Sequence, residues 1–212
     1  MQQTKQQTFA RWGFYLLGMV LLALDLTLNT KTGLGASAIV SVPFTVSQAT
    51  DWDFGNLTLV VYCLFVAAQF LIKGKNRRWT DLLQIPLSIV FTRFLNIFAA
   101  AIPYQSGNLP ADIALLVVAI IFTGIGAAMT VAMQLIPNPG DGIVGTIAAV
   151  TGKELGFCKN CFDVGCVSLL LIIGLCFGDP LLGTLISMVG VGRAIAGFNY
   201  LCKRPLLQAT GM

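Results

Sequence analysis

From Ile113 to Ile136 the chain runs through more than twenty nearly uninterrupted apolar residues, none of them charged. It then breaks at Asn138–Thr146, NPGDGIVGT, with Pro137 and Pro139 at the break and Asp141 among its glycines, before apolar residues resume. A run of that length can cross about 30 Å of hydrocarbon as a helix, and proline and glycine interrupt helices. Non-helical backbone at membrane depth is tolerated only where protein or a water-filled cavity surrounds it. The break therefore points to a cavity. The rest of the chain fits this reading: 56% of its residues are hydrophobic and only 10% charged. Soluble domains carry about 25% charged residues, so a membrane protein is the class that fits.

Six apolar runs are long enough to span, at Trp12–Asn29, Asn56–Ile72, Thr80–Ile102, Ile113–Gln134, Cys161–Phe177 and Pro180–Leu201. The polar start MQQTKQQTFAR leads into the first without a small-residue cleavage site, so a retained first span is expected. Two shorter apolar stretches, Ala36–Ala49 and Gly142–Val150, fall short of a crossing. Charge decides their course. Lys73, Lys75, Arg77 and Arg78 form one dense basic loop, whereas Tyr104–Asp112 and Gly178–Pro180 hold no Lys or Arg. If both short stretches enter and leave on one side, the basic loop, both termini, Lys153 and Lys159 are cytoplasmic, and Lys31 is the one exception. If both cross, the basic loop is forced outside, against the positive-inside rule. Trp12, Trp52 and Trp79 fall at span ends, where indole prefers the interface.

The chain also repeats itself. Thr32–Ser37 ends one span and opens a short stretch, followed by Asp53-Phe54-Gly55, a span, a polar loop, Thr80 and a span. Pro137–Gly142 does the same, followed by Leu155-Gly156-Phe157, a span, a thin loop, Thr184 and a span. Gly35 to Gly55 and Ile136 to Gly156 are both 20 residues. Three crossings per repeat turn the second upside down. The expected fold is all-α, a polytopic membrane helix bundle forming one domain over 1–212. It has six transmembrane helices plus two re-entrant half-helices, in two inverted repeats at 12–102 and 113–201. Two surface loops followed by interfacial helices are the alternative.

Several stretches resemble the YczE/YyaS/YitT group of bacterial membrane proteins. They are TGLGASAIVSVPFTVS (32–47), LLQIPLSIVF (82–91), PGDGIVGTIAAVTGKELGF (139–157), FDV (162–164) and LLGTLISMVGVG (181–192). The resemblance covers nearly the whole chain and implies a bacterial inner (plasma) membrane location and a transport role, without a substrate. This chain has Ser37-Ala38-Ile39-Val40 where that group usually shows Ser-Pro-Ile-Ser.

Charged residues in apolar segments should face the bundle interior or one another, since each costs about 2.5–3.5 kcal/mol near mid-membrane. Asp25, Arg93, Asp141, Asp163 and Arg193 are the instances. Arg93 and Arg193 fall at comparable places in the two repeats, suited either to pairing with Asp25 or Asp163 or to a solute carboxylate or phosphate. Asp141 heads a short helix, where it is either an N-terminal cap or a proton or cation site. The expected solute-binding set is Gly33, Gly35, Ser37, Gln84, Arg93, Asn138, Gly140, Asp141, Gly142 and Arg193. Asp25, Asp141 and Asp163 are expected to couple ions or protons. Cys158 and Cys161 have metal-like spacing, but no second pair or histidine completes a site, so no metal and no cofactor is expected.

No nucleophile elbow, phosphate loop or metal set marks an enzyme. The leading reading is a secondary transporter of a small anionic or zwitterionic solute, alternating between the two repeats. The others are an assembly or regulatory membrane subunit without transport, and a passive channel. The lipid bilayer and a small solute are the expected partners. Small residues on several spans permit a homodimer, and the net charge of +4 makes no nucleic-acid patch.

Overall fold

The computed structural model describes residues 5–34, 37–177, 194, 197, 198, 200, 202 and 206–210, without the side chains of 171 and 173–177. Its elements are helical throughout: α1 (Lys5–Lys31), α2 (Ala38–Ala49), α3 (Phe54–Lys73), α4 (Gln84–Ala101), α5 (Leu109–Ala132), α6 (Pro139–Thr151) and α7 (Leu155–Phe177). Single 3-10 turns at Gly74–Asn76 and Trp79–Leu83 carry the basic loop between α3 and α4.

Among the described residues, four stretches are long and apolar enough to cross a membrane: Lys5–Lys31, Phe54–Asn76, Trp79–Ala101 and Leu109–Ala132. They cover the first four expected spans to within two residues. The fifth lies within α7, whose 23 residues rise about 35 Å. The sixth, 180–201, lies almost wholly outside the described residues. Leu64, Leu71, Val117, Ile121 and Ile172 are exposed on the outer faces of the long helices. A chain that leaves such side chains outward has hydrocarbon as its solvent, and the molecule is a membrane-embedded helix bundle.

Local chemistry sets the helix ends. Asp53 caps α3 by accepting a hydrogen bond from the Asn56 N–H at 2.9 Å. Asn138 caps α6 by accepting from the Gly140 N–H at 3.0 Å, and Pro139 supplies a first helical residue with no N–H that needs an acceptor. The same helix ends at Gly152, whose φ of 67° suits a residue without a side chain. Pro43 lies inside α2, so the Ile39 carbonyl loses the donor that a regular helix would supply.

Packing joins the two halves of the chain. α1 lies along α5, where Gly18 and Gly126 meet: a Cβ on Gly126 would stand 2.8 Å from the Gly18 carbonyl oxygen. Small residues permit such close backbone approach in a bilayer. α2 packs on α7, α6 packs on α3, and each short helix also packs on the span that follows it, α2 on α3 and α6 on α7. α4 packs on α1 and α3. One core, of Ala23, Leu26, Val40, Phe44, Tyr62, Phe91 and Leu95, gathers α1–α4, and another, of Ile143, Val144 and Cys158, seats α6 beside α7.

Candidate functional site

A cavity of about 390 Å³ lies where α2 and α6 begin. Ser37, Ala38, Ile39 and Val40 border it from α2, and Asn138 and Asp141 from α6. Asp25 reaches it from α1, Tyr62 from α3, Thr123 from α5, and Lys159 and Asp163 from α7. Leu155, Gly156 and Asn160 stand at its rim and are exposed. A second cavity, of about 270 Å³, lies beside Gln134–Asn138 and Asp141. Asn138 and Asp141 border both.

Asp25 is 1% exposed, and its Oδ1 receives no hydrogen bond. Its neighbour is the Thr123 hydroxyl, which donates to the Ala119 carbonyl at 3.1 Å. Asp163 is also buried, but Lys159 one turn earlier answers it, Nζ to Oδ1 at 3.0 Å. Tyr62 is buried and its hydroxyl meets the Asn138 side chain. Ser37 precedes α2 without bonding its side chain to that helix, leaving the hydroxyl available to the cavity. Among the described lining residues the ionisable groups other than Tyr62 are three carboxylates and one ammonium.

The expected site residues divide accordingly. Ser37, Asn138, Asp141, Asp25 and Asp163 meet at the cavity. Gly140 lies at the contact between the two helix tips, facing the Ile39 side chain. Gly142 faces elsewhere: a Cβ there would meet the Oε1 atoms of Gln69 and Gln84, each at 2.8 Å. Those amides form a buried reciprocal pair, Gln69 Nε2 to Gln84 Oε1 at 3.2 Å and Gln84 Nε2 to Gln69 Oε1 at 3.0 Å. Gln84 thus braces α6 through Gln69, whose Nε2 also donates to the Pro139 carbonyl at 3.4 Å. Gly33 is not at the cavity; its φ of 66° turns the chain after α1, against Ser106. Gly35 and Arg193 lie outside the described residues.

Arg93 corrects the expectation of an interior arginine. It is exposed and donates to Asn56 Oδ1 at 3.1 Å, beside a second tie from Asn96 Nδ2 to Asp53 Oδ1 at 2.8 Å. Its place on α4 turns outward, so it meets the polar head of α3 rather than Asp25 or Asp163. Asp163, one of the two acids suited to an arginine, pairs with Lys159.

Four contributors escaped the sequence reading: Tyr62, Gln69, Thr123 and Lys159. Gln69 carried a signal, as an uncharged amide inside an apolar run. Lys159 carried one too, standing four residues before Asp163, the spacing of a helical ion pair. Arg11 is a further case. It donates from Nε to the Met133 carbonyl at 2.7 Å and from Nη2 to the Gln134 carbonyl at 3.1 Å. With the Tyr15 hydroxyl on the Ile136 carbonyl at 2.8 Å, it clamps the segment leading into α6.

Comparison with known proteins gives a family without a reaction. A family described as of unknown function, DUF6198, matches residues 9–200. The chain is similar to the uncharacterized membrane protein YczE of Bacillus subtilis, 24% identical over 190 residues, which cover 89% of this chain and 85% of that protein. No solved structure matches the chain.

Proposed function

We propose that this chain, which belongs to the DUF6198 family, is a secondary transporter that passes a small zwitterionic or cationic solute through the cavity between two inverted repeats. The observation that carries this reading is the cavity itself, bordered by the first turns of both short helices and by a buried carboxylate with a free oxygen. Transporters with interrupted helices place their sites at such helix ends, between repeats.

Helix pairing supports the repeats. Exchanging α1, α2 and α3 with α5, α6 and α7 turns α2-on-α7 into α6-on-α3, and α2-on-α3 into α6-on-α7, while α1-on-α5 maps onto itself. Three crossings per half make the halves antiparallel. We place the basic loop and both termini in the cytoplasm of a bacterial plasma membrane by the positive-inside rule. The Arg11 clamp is consistent with this, since it requires the start of α1 and the end of α5 to lie on one side.

The lining moves the solute away from the anionic class. Among the described residues Asp25, Asp141 and Asp163 face one ammonium, that of Lys159, which Asp163 already engages. A cationic group suits the acids. A carboxylate on the same solute suits the first turn of α2, which holds no acid and carries the positive end of the helix dipole. Recognition of this kind involves no covalent chemistry, so the reading is of a carrier and not an enzyme.

Thiol accessibility tests it. In a background without the six native cysteines, Ser37→Cys and Asp141→Cys are labelled from each face with a membrane-impermeant reagent. The proposal expects labelling through water at membrane depth, slowed by an amino-acid zwitterion that the protein carries. Labelling at the rate of an exposed loop residue, indifferent to every solute of a zwitterion panel, would remove its support.

A further inference from the structure

We propose that Asp25 is an exchange site at which a proton and the ammonium group of the solute exclude one another, so that amine entry releases a proton. The physiological use of this exchange rests on the transport reading; the binding event does not.

Asp25 differs from the other buried acids described. Asp112 accepts from the Tyr104 hydroxyl at 2.8 Å and the Ser106 hydroxyl at 3.0 Å, and Asp163 has Lys159. Asp25 keeps one oxygen without a donor, at the wall of a cavity large enough for a small solute. Facing it across that cavity among the described residues are Tyr62 from α3, Asp141 from α6, and Lys159 with Asp163 from α7. The lining residues of α2 and α5 carry no ionisable side chain, and α4 contributes Phe91. The one cation among the described lining residues is committed to Asp163.

An ionised carboxylate enclosed by protein and lipid, with one oxygen lacking a donor, is costly. Two occupants relieve it. A proton makes Asp25 itself a donor, with the Thr123 oxygen beside it as an acceptor. Alternatively a cation bearing N–H groups donates to Oδ1 directly. The free acceptor therefore selects a primary or secondary ammonium over a quaternary one, which has no hydrogen to give. The Tyr62 and Phe91 rings at the same wall add a face attractive to cations. The step balances: a protonated Asp25 and R-NH3+ give an Asp25 carboxylate paired with R-NH3+, and one proton passes to water. Because both ligands need one oxygen, each weakens the other reciprocally.

The test is proton release from the purified full chain in nanodiscs under weak buffering, on addition of methylammonium chloride. Sodium chloride and tetramethylammonium chloride at equal ionic strength are the controls. The proposal expects release approaching one proton per chain with methylammonium alone. The apparent affinity should tighten about tenfold per pH unit as pH rises through the range where Asp25 binds a proton. Asp25→Asn should abolish the release, and Asp51→Asn, at an exposed carboxylate away from the cavity, should keep it. In the unmutated chain, methylammonium should slow reaction of Asp25 with dicyclohexylcarbodiimide, a reagent for protonated carboxyls, which gives a second readout without any variant. Release that survives Asp25→Asn, release evoked equally by sodium or tetramethylammonium, or no release with carbodiimide labelling unaffected by methylammonium would each overturn the proposal. Solute-sensitive labelling at Ser37→Cys in those cases leaves the transport reading standing. Proton release without such labelling leaves the exchange site and removes the transporter.

Discussion

Gly140, in the first turn of α6, lies against Ile39, in the first turn of α2: a Cβ on Gly140 would stand 3.0 Å from Ile39 Cγ2 and 3.1 Å from Cδ1. The tips of two helices about a hundred residues apart in sequence therefore touch, and the cavity opens beside the contact.

That contact has no room for a branched side chain. Gly140→Val is expected to push the tips apart and destabilise the bundle by about 1–3 kcal/mol, the usual range for overpacking. Ile39→Ala in the same chain should recover part of the loss. Thermal unfolding of the four proteins in detergent measures the coupling, and strict additivity would mean that the two residues do not meet.

The Gln69–Gln84 pair gives a second expectation. Gln84→Leu leaves Gln69 buried without its amide partner, at a cost of roughly 1–3 kcal/mol. Gly142→Ala should act on the same pair from the other side, since the new Cβ would press on both Oε1 atoms. Denaturant or heat unfolding should show both variants weakened. A neutral Gln84→Leu would mean that the amides do not bond.

Lys159 and Asp163 should respond unequally. Removing the lysine strands a buried acid, whereas Asp163→Asn removes the charge that needed it. The pair is partly exposed, with side chains 37% and 11% accessible, so Lys159→Met is expected to cost roughly 1–2 kcal/mol, between the exposed and buried limits. Asp163→Asn should cost less. The opposite order in an unfolding experiment contradicts the pairing.

How much of this was legible in the sequence follows from what each signal measures. Run length and charge asymmetry report exposure to hydrocarbon, and the first four spans and both short helices were readable from them. The breaks at Ser37 and Asn138 were readable because proline and glycine act locally on the backbone. The expectation for Arg93 failed because a helical position in the chain does not say which way it faces. Arg93 turned to the Asn56 end of α3, and nothing in its own sequence neighbourhood records that. Gln69, Tyr62 and Thr123 share one difficulty: each sits in an apolar run and gains its role only from a helix distant in sequence. Asp25 was legible as an anomaly, but its free oxygen is a property of the packed bundle.

Outside the spans, Tyr104 offers a pH signature. The Asp112 side chain that accepts its hydroxyl hydrogen holds the phenol above its ordinary value of 10.0. A raised value favours the neutral phenol in the folded chain, so its contribution to stability is complete below pH 10.0 and is lost as pH rises through the raised value. Tyr104→Phe should flatten the alkaline limb of the unfolding profile. An unchanged limb means that the bond to Asp112 does not form.

The central claim is that the first turns of α2 and α6 meet tip to tip beside the cavity. The most direct measurement is disulfide formation between Ile39→Cys and Gly140→Cys, in the cysteine-free background and in native membranes, followed by a mobility shift of the single chain. The account predicts rapid intrachain cross-linking under mild oxidation. It also predicts no cross-link when Val150→Cys, on the exposed far end of α6, replaces Gly140→Cys. Free thiols at both tips after prolonged oxidation, with both cysteines reactive once the protein is denatured, would contradict it.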